Sequence, residues 1–120
     1  MQADADKETF VTGSKADFFT LNEVDAQRAR SGKLYHEFLR VPAMSAGLYV
    51  LSAGATDGQR PHHEDEMYYV VRGKARFRAA GEDREVSAGS VLFVAAEVEH
   101  RFYDIREELA ALVFFAPAES

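Results

Sequence analysis

Apolar and polar residues alternate along most of the chain in short runs, which Gly, Pro and other turn-forming residues separate. Such alternation is typical of β-strands, because successive side chains of a strand point to opposite faces of its sheet. The segments with this pattern are residues 35–41, 47–51, 67–71, 75–79, 84–86, 90–94, 100–103 and 109–115. Short strands at intervals of about 8–12 residues favour an all-β sandwich or closed barrel over alternating βαβ units.

One segment carries the signals of a helix instead. Thr20 and Glu23 have the spacing of a capping box, in which each side chain bonds the backbone of the other residue. The predicted helix covers residues 21–30 and stops at Ser31-Gly32, since glycine readily adopts the left-handed conformation that ends helices. Its polar residues outnumber its apolar ones, so we expect it to lie on the outside of the core.

A chain of 120 residues has room for one domain with one core. We divide it into an N-terminal arm with the short helix, residues 1–32, and a β-barrel domain, residues 33–118. Residues 1–10 carry no strong pattern, and we expect them to be loose or to form an edge strand.

Composition excludes several classes of function. Fourteen basic and twenty acidic residues leave a formal net charge of −6, and a chain without a basic cluster is a poor ligand for nucleic acid. The absence of cysteine excludes disulfides, thiolate zinc sites and cysteine nucleophiles, and it fits a reducing compartment. With no secretory signal or membrane-length apolar run, the chain is predicted to be soluble and cytoplasmic, without a membrane partner.

Two of the four histidines, His62 and His100, combine with Glu66 into a candidate metal site. His62 and Glu66 are four residues apart, so they share a face if the segment is extended. Imidazoles and a carboxylate are the donors favoured by divalent Fe, Mn, Ni, Co and Zn. By spacing alone the signal is weak, because a run of His and acidic residues is more often a solvated loop.

The spacing around His62 resembles the first motif of the cupin superfamily, G-x5-H-x-H-x3,4-E-x6-G. Gly54, His62, Glu66 and Gly73 occupy motif positions, whereas Arg60 replaces the first histidine. Arginine has no lone pair for a metal, so it cannot be a ligand. Beside a metal it could instead bind an anionic substrate, although a solvent-facing role at the barrel mouth is at least as reasonable.

The second motif, G-x5-P-x-G-x2-H-x3-N, is matched by Gly89 and His100. Its Pro, Gly and Asn positions hold Ala95, Glu97 and Asp104. We expect Asp104 either to orient a group beside the site or to cap a turn.

The resemblance implies a small jelly-roll β-barrel that holds one divalent metal ion on His62, Glu66 and His100. Gln59 could supply the missing fourth ligand if its strand begins irregularly, and His63 could do so if the register is bulged. The metal would be Fe, Mn, Ni, Co or Zn, and the donor set does not discriminate among them.

The predicted function is that of a metal-dependent enzyme, dioxygenase- or isomerase-like, acting on a small molecule in the barrel. Tyr68 and Arg60 are the candidate catalytic residues, since Tyr68 could act as an acid and Arg60 could hold the substrate. The alternatives are a small-ligand binding protein without turnover and a metal-free, epimerase-like cupin. Apolar residues at 9–11 and 17–19, together with the resemblance, predict a homodimer.

Overall fold

The computed structural model describes residues 15–120. The elements in chain order are α1 (Leu21–Ser31), β1 (Tyr35–Val41), β2 (Met44–Leu51), β3 (Asp65–Ala79), β4 (Glu82–Ser87), β5 (Val91–Val94) and β6 (His100–Ala116). The expected all-β fold with one short helix is confirmed. The expectations for residues 1–10 and for the apolar segment 9–11 fall outside the described residues.

The strands form an antiparallel sheet in the hydrogen-bonded order β1-β2-β6-β3-β4, with β5 also paired to β3. Strand β3 is the centre of this arrangement, since one of its edges pairs with β6 along most of its length. Its other edge pairs first with β5 and then with β4. The long strands β3 and β6 therefore tie together both ends of the jelly roll.

The sequence prediction was wrong about β3 and β6: it divided each of them into two strands, whereas each is continuous in the structure. The predicted break near Gly73 is a bend in β3, where the register against β6 shifts between Val70 and Arg76. Gly73 has φ +100°, and a Cβ at this position would clash with the backbone oxygen of Glu108. Bulges of this kind bend a strand without ending it, so a turn-like local sequence continues as one strand.

Helix α1 packs on the outer face of the sheet, as its polar composition predicts. The Thr20 hydroxyl accepts a hydrogen bond from the backbone N–H of Glu23 at 3.2 Å, and Gly32 ends the helix with φ +71°. The helix buries Val24, which belongs to a small apolar cluster with Leu48, Val50 and Ala110. No helix within residues 15–120 is long and apolar enough to cross a membrane.

The main core lies inside the barrel and is rich in aromatic side chains. Tyr68 of β3 and Phe102 of β6 are fully buried and pack edge to face, with ring centroids 5.0 Å apart. Edge-to-face packing is a favoured aromatic geometry, because the positive ring edge meets the negative ring face. Tyr68 also reaches the polar end of this core, where the candidate site lies.

Candidate metal centre

The structure brings His62, Glu66 and His100 together, with donor atoms within 4.8 Å of one another. The His100 Nε2 atom lies 2.9 Å from Glu66 Oε1, and the His62 Nε2 atom lies 3.9 Å from the same oxygen. The side chains of Glu66 and His100 are 1% exposed and that of His62 is 9% exposed. Two imidazoles and a carboxylate thus converge in a site almost closed to solvent.

Strand alternation explains the position of Glu66. Along β3, Glu66 and Tyr68 are buried, whereas Met67 and Tyr69 are 44% and 43% exposed. Alternate residues of a strand face opposite sides of the sheet, and Glu66 lies on the inner side. This part of the sequence argument therefore identifies the correct face.

The position of His62 has a different cause from the one expected. Strand β3 begins at Asp65, so His62 lies in the preceding loop and not four positions along a continuous strand. Its backbone oxygen accepts a 2.7 Å hydrogen bond from the N–H of Glu97, and its ring packs against Phe115 with centroids 5.0 Å apart. These long-range contacts, rather than strand parity, turn the imidazole inward.

The hydrogen bonds around the site suit a cation. The Nδ1 atom of His100 lies 2.8 Å from the carbonyl oxygen of Val98. A carbonyl only accepts, so this Nδ1 carries the hydrogen, and in a neutral ring the Nε2 lone pair then faces Glu66. Both Glu66 oxygens are buried, and the ion-pair partners of Glu66 within residues 15–120 are the two imidazoles, with no lysine or arginine among them. A buried carboxylate in this situation is costly unless a cation compensates it, so the residues fit a metal ion.

Protonation of His100 would supply part of that compensation when no metal is bound. Burial disfavours the imidazolium, but the nearby Glu66 carboxylate and the Val98 carbonyl together raise the pKa of His100 above its ordinary value. Burial, followed by the Glu66 charge, also raises the pKa of Tyr68 well above its ordinary value. Tyr68 therefore remains a hydroxyl donor at neutral pH, and a metal ion must compete with a proton at His100.

Gln59, one of the two candidates for an additional ligand, directs its amide oxygen toward the site. The Gln59 Oε1 atom accepts a 2.9 Å hydrogen bond from the Tyr68 hydroxyl and lies 3.4 Å from His62 Nε2. The Tyr68 hydroxyl in turn lies 3.2 Å from His100 Nε2. Gln59 and Tyr68 thus line the same small space as the two imidazoles.

His63 lies away from this space. It is exposed, and its Nδ1 atom lies 2.6 Å from Glu97 Oε1. That contact raises the pKa of His63. Of the two alternatives for the missing motif histidine, Gln59 is beside the other donors and His63 is not.

Asp57 supports Gln59 and was not identified from the sequence. It is 5% exposed, and its carboxylate accepts hydrogen bonds from Gln59 Nε2 at 2.6 Å, the Tyr49 hydroxyl at 2.7 Å and the Phe102 N–H at 2.9 Å. Because the Gln59 amide nitrogen is held by Asp57, its oxygen is left to face Tyr68. Asp57 lies in a turn-rich stretch, where an acidic residue is ordinarily interpreted as a turn former.

Glu119 is a second residue that the sequence analysis missed. It follows the last strand, is only 2% exposed, and places Oε2 3.2 Å from His62 Nδ1. No motif or periodic pattern includes it, so no sequence signal identifies it.

Arg60 and Asp104 both lie outside the cluster. Arg60 is exposed and lines an open pocket of about 430 Å³, which His62 and Glu119 also line. Asp104 is exposed, adopts φ +48° and pairs with Arg106 at 3.1 Å, as expected of a residue at a turn or bulge rather than beside the site.

Comparison with known structures identifies the same fold. An RmlC-like cupin from Shewanella frigidimarina is 21% identical, with a TM-score of 0.65 over 70% of this chain and 75% of that chain. The protein KdgF from Halomonas sp. is 21% identical, with a TM-score of 0.64 over 69% of this chain and 78% of that chain. The DMSP lyase DddQ from Ruegeria pomeroyi is 18% identical, with a TM-score of 0.62 over 87% of this chain and 52% of that chain.

Sequence comparison identifies the family to which the chain belongs. An uncharacterized protein from Streptomyces coelicolor is 48% identical over 102 residues, which span 85% of this chain and 97% of that protein. The family model for the cupin domain matches residues 47–116, which include His62, Glu66 and His100. With more than half of its length matched and with the jelly-roll fold described above, this chain belongs to the cupin family.

Proposed function

We propose that this protein binds one divalent metal ion through His62, Glu66 and His100, with Gln59 Oε1 as an additional oxygen donor. The observation that carries this proposal is the buried Glu66 carboxylate, which faces two imidazoles and has no lysine or arginine partner within residues 15–120. Nitrogen and oxygen donors of this kind suit Fe, Mn, Ni, Co or Zn.

The bound ion would serve an enzyme of dioxygenase or isomerase type that acts on a small molecule. The ion supplies Lewis acidity or oxygen activation when it is bound. Tyr68 is proposed to orient the substrate, since its hydroxyl lies 3.2 Å from His100 Nε2 and its raised pKa keeps it protonated as a hydrogen-bond donor. A substrate oxygen that replaced the Gln59 amide oxygen would accept this hydrogen bond.

Arg60 is the proposed anchor for the substrate. It is exposed at the rim of the 430 Å³ pocket and has no ion pair within the described residues. Guanidinium groups bind carboxylates and phosphates through paired hydrogen bonds, so the proposed substrate is a small organic anion.

A metal-free reaction is the second candidate. It is favoured by the direct contact of His100 Nε2 with Glu66 at 2.9 Å and with the Tyr68 hydroxyl at 3.2 Å. A carboxylate-supported imidazole beside a phenol can move a proton without a metal, as an epimerase requires. Tight binding of a small ligand without turnover would instead identify a binding protein.

A homodimer is the proposed assembly, and the outer face of β3 and β5 supports it. Met67, Tyr69, Val91 and Phe93 are each at least 43% exposed there. Met67 lies opposite Phe93 and Tyr69 opposite Val91, so the four side chains form one patch. Contiguous apolar patches often mark interaction surfaces. The cytoplasm remains the predicted location, on the basis of the cysteine-free composition.

The decisive experiment is the metal content of the purified protein by mass spectrometry. We expect about one equivalent in the native chain, as in one-ion sites of this donor type. We expect loss of this metal in Glu66→Ala and His100→Ala. His63→Ala is the matched control, because His63 is a neighbouring but exposed histidine.

A native protein that stays empty after incubation with Fe, Mn, Ni and Zn would contradict the metal proposal, as would equal loss in the control. The metal-free candidate would then be tested with Tyr68→Phe and His100→Gln in isomerase assays. A protein that does hold metal would be screened for oxygen consumption and isomerase activity with small organic anions.

A further inference from the structure

Glu119 is a buried carboxylate in contact with a candidate metal ligand, and no part of the reaction described above uses it. We propose that Glu119 is a positioning residue, which holds the hydrogen of His62 on Nδ1 and thereby leaves the lone pair of Nε2 free to bind a cation beside Glu66. The inference rests on the proposed metal site, but its structural part can be measured without metal.

The backbone around Glu119 is attached firmly to the β1–β2 hairpin. The Glu119 N–H donates to the hydroxyl of the fully buried Ser45 at 2.9 Å, and Arg40 Nη2 donates to the Glu119 carbonyl at 2.7 Å. The next N–H, of Ser120, donates to Glu64 Oε2 at 3.1 Å. The Glu119 side chain is therefore placed by packing against the hairpin and not by a loose tail.

The two nitrogens of His62 have different carboxylate neighbours. Glu119 Oε2 lies 3.2 Å from Nδ1, whereas Glu66 Oε1 lies 3.9 Å from Nε2. Phe115 packs edge-on against the imidazole, which limits reorientation of the ring. The Nε2 atom also lies 3.4 Å from Gln59 Oε1, so the carboxylate of Glu119 is the nearest of the three acceptors to the ring. Glu119 contacts the nitrogen that is not directed at Glu66, as expected of a residue that orients a metal ligand and is not a ligand itself.

The chemistry of the contact determines the tautomer. An ionised carboxylate only accepts hydrogen bonds, so Nδ1 of His62 must carry a hydrogen to satisfy Glu119. In a neutral ring the lone pair is then on Nε2. Val98 does the same for His100 through its carbonyl oxygen, 2.8 Å from Nδ1. Carboxylate partners of metal-bound histidines fix ring orientation and raise ligand basicity, and their loss typically costs about 10–100-fold in metal affinity.

Nitrogen-15 NMR of the histidine rings in the metal-free protein tests the structural part, at a pH where the imidazoles are neutral. We expect native His62 to carry its hydrogen on Nδ1, and Glu119→Ala to shift His62 toward the Nε2–H tautomer. Glu64→Ala is the matched control, since Glu64 is also buried, lines the same pocket and holds the same tail through Ser120. The control should keep the native tautomer, and His100 should be unchanged in both variants.

Zn²⁺ affinity, measured by competition with a chelator, tests the consequence. We expect Glu119→Ala to weaken binding about 10–100-fold. Glu64→Ala should stay within about threefold of native. Glu119→Gln keeps nearly the same shape, but its amide can donate as well as accept, so it should hold the Nδ1–H tautomer less firmly than native and lose less affinity than Glu119→Ala.

Two results would overturn the assignment. One is a native His62 tautomer that Glu119→Ala leaves unchanged, which would mean that Glu119 does not orient the ring even if it contacts metal. The other is an equal loss of Zn²⁺ affinity in Glu119→Ala and Glu64→Ala, which would reduce Glu119 to a packing role. Should native protein bind no metal, the proposed function fails, and the NMR comparison still decides the role of Glu119.

Discussion

Five carboxylates are buried in the described part of the chain, namely Glu37, Asp57, Glu64, Glu66 and Glu119. Most of them have obvious partners, such as Arg40 for Glu37 at 2.8 Å and His62 for Glu119 at 3.2 Å. Glu66 differs, because it faces two imidazoles, His100 at 2.9 Å and His62 at 3.9 Å, and no lysine or arginine pairs with it within residues 15–120. A buried charge that is left for a cation costs stability when the cation is absent. The proposed metal site rests on this arrangement.

Asp57 provides a test of how the site is held. It accepts hydrogen bonds from Gln59, Tyr49 and the Phe102 backbone. Asp57→Ala leaves buried donors unsatisfied, at about 1–3 kcal/mol each, so we expect the free energy of unfolding to fall by about 3 kcal/mol. Urea denaturation measures this change.

The control for Asp57 is Asp65→Ala, which removes an exposed carboxylate that accepts one backbone hydrogen bond from Ala96 at 2.9 Å. Its loss should cost no more than about 1.5 kcal/mol. Equal losses in the two variants would contradict a special role of Asp57.

The two long strands show how elements position the site. Strand β3 carries Glu66 near its beginning, and β6 carries His100 at its first residue, so the site joins the ends of two strands. The bend at Gly73 keeps the strands paired beyond the site, where β3 approaches the backbone of Glu108. The close approach of the two backbones at the bend therefore requires a residue without a Cβ.

Replacement of Gly73 tests this requirement. Gly73→Ala introduces both a strained positive φ and a clash with the Glu108 backbone. Gly81→Ala is the matched control, because Gly81 has φ +76° but open space around its Cβ position. Strain alone costs about 1–3 kcal/mol, so we expect Gly81→Ala to fall in that range and Gly73→Ala to exceed it. Thermal or urea unfolding measures the difference, and equal losses would show that the backbone can move aside.

Asp83 of β4 links three strands on the outside of the barrel. It contacts Arg76 and Arg78 of β3 and accepts a hydrogen bond from the Tyr103 hydroxyl of β6. The bond from Tyr103, followed by those from the two arginines, lowers the pKa of Asp83 to about 2.

The lowered pKa predicts a pH dependence of stability. The folded pKa of Asp83 lies below its unfolded value of 3.8, so its contribution is complete above that value and is lost as the pH falls toward 2. Asp83→Asn should lack this part of the decline when unfolding is followed between pH 5 and pH 2. A variant whose decline matches that of the native protein would contradict the assigned contacts.

The whole molecule has an uneven distribution of exposed apolar side chains. Helix α1 covers the outer face near Leu48 and Val50, but the neighbouring patch on β3 and β5 has no cover within residues 15–120. Phe93 and Val91 are 62% and 59% exposed in this patch. A two-fold dimer would bury it against itself.

Light scattering after size exclusion tests the dimer. We expect a dimer of the native chain and a monomer of the double variant Val91→Lys, Phe93→Lys, because charges cannot be buried across a two-fold axis without partners. Leu34→Lys is the control, since Leu34 is 55% exposed but lies beside β1, at the other end of the sheet order. A native monomer, or dissociation by the control alone, would contradict the use of this face.

Local sequence was sufficient to predict much of the fold. The helix and its Thr20 and Gly32 caps, the existence of most strands and the inward direction of Glu66 all follow from contacts within a few residues. The lengths of β3 and β6 do not follow from local contacts. Whether a Gly-containing stretch ends a strand depends on the partner strand with which it pairs. Gly73 resembles a turn locally and is a bend only against Glu108.

The candidate site likewise has features that the sequence predicted and features that only the tertiary structure determines. The motif resemblance already named His62, Glu66 and His100, and the chemistry of these residue types implied a metal. The inward turn of His62, the position of Gln59 beside the other donors and the contacts of Asp57 and Glu119 depend on residues distant in sequence. No periodic pattern records such contacts, because they form only when the barrel closes and the segment after β6 returns to the β1–β2 hairpin.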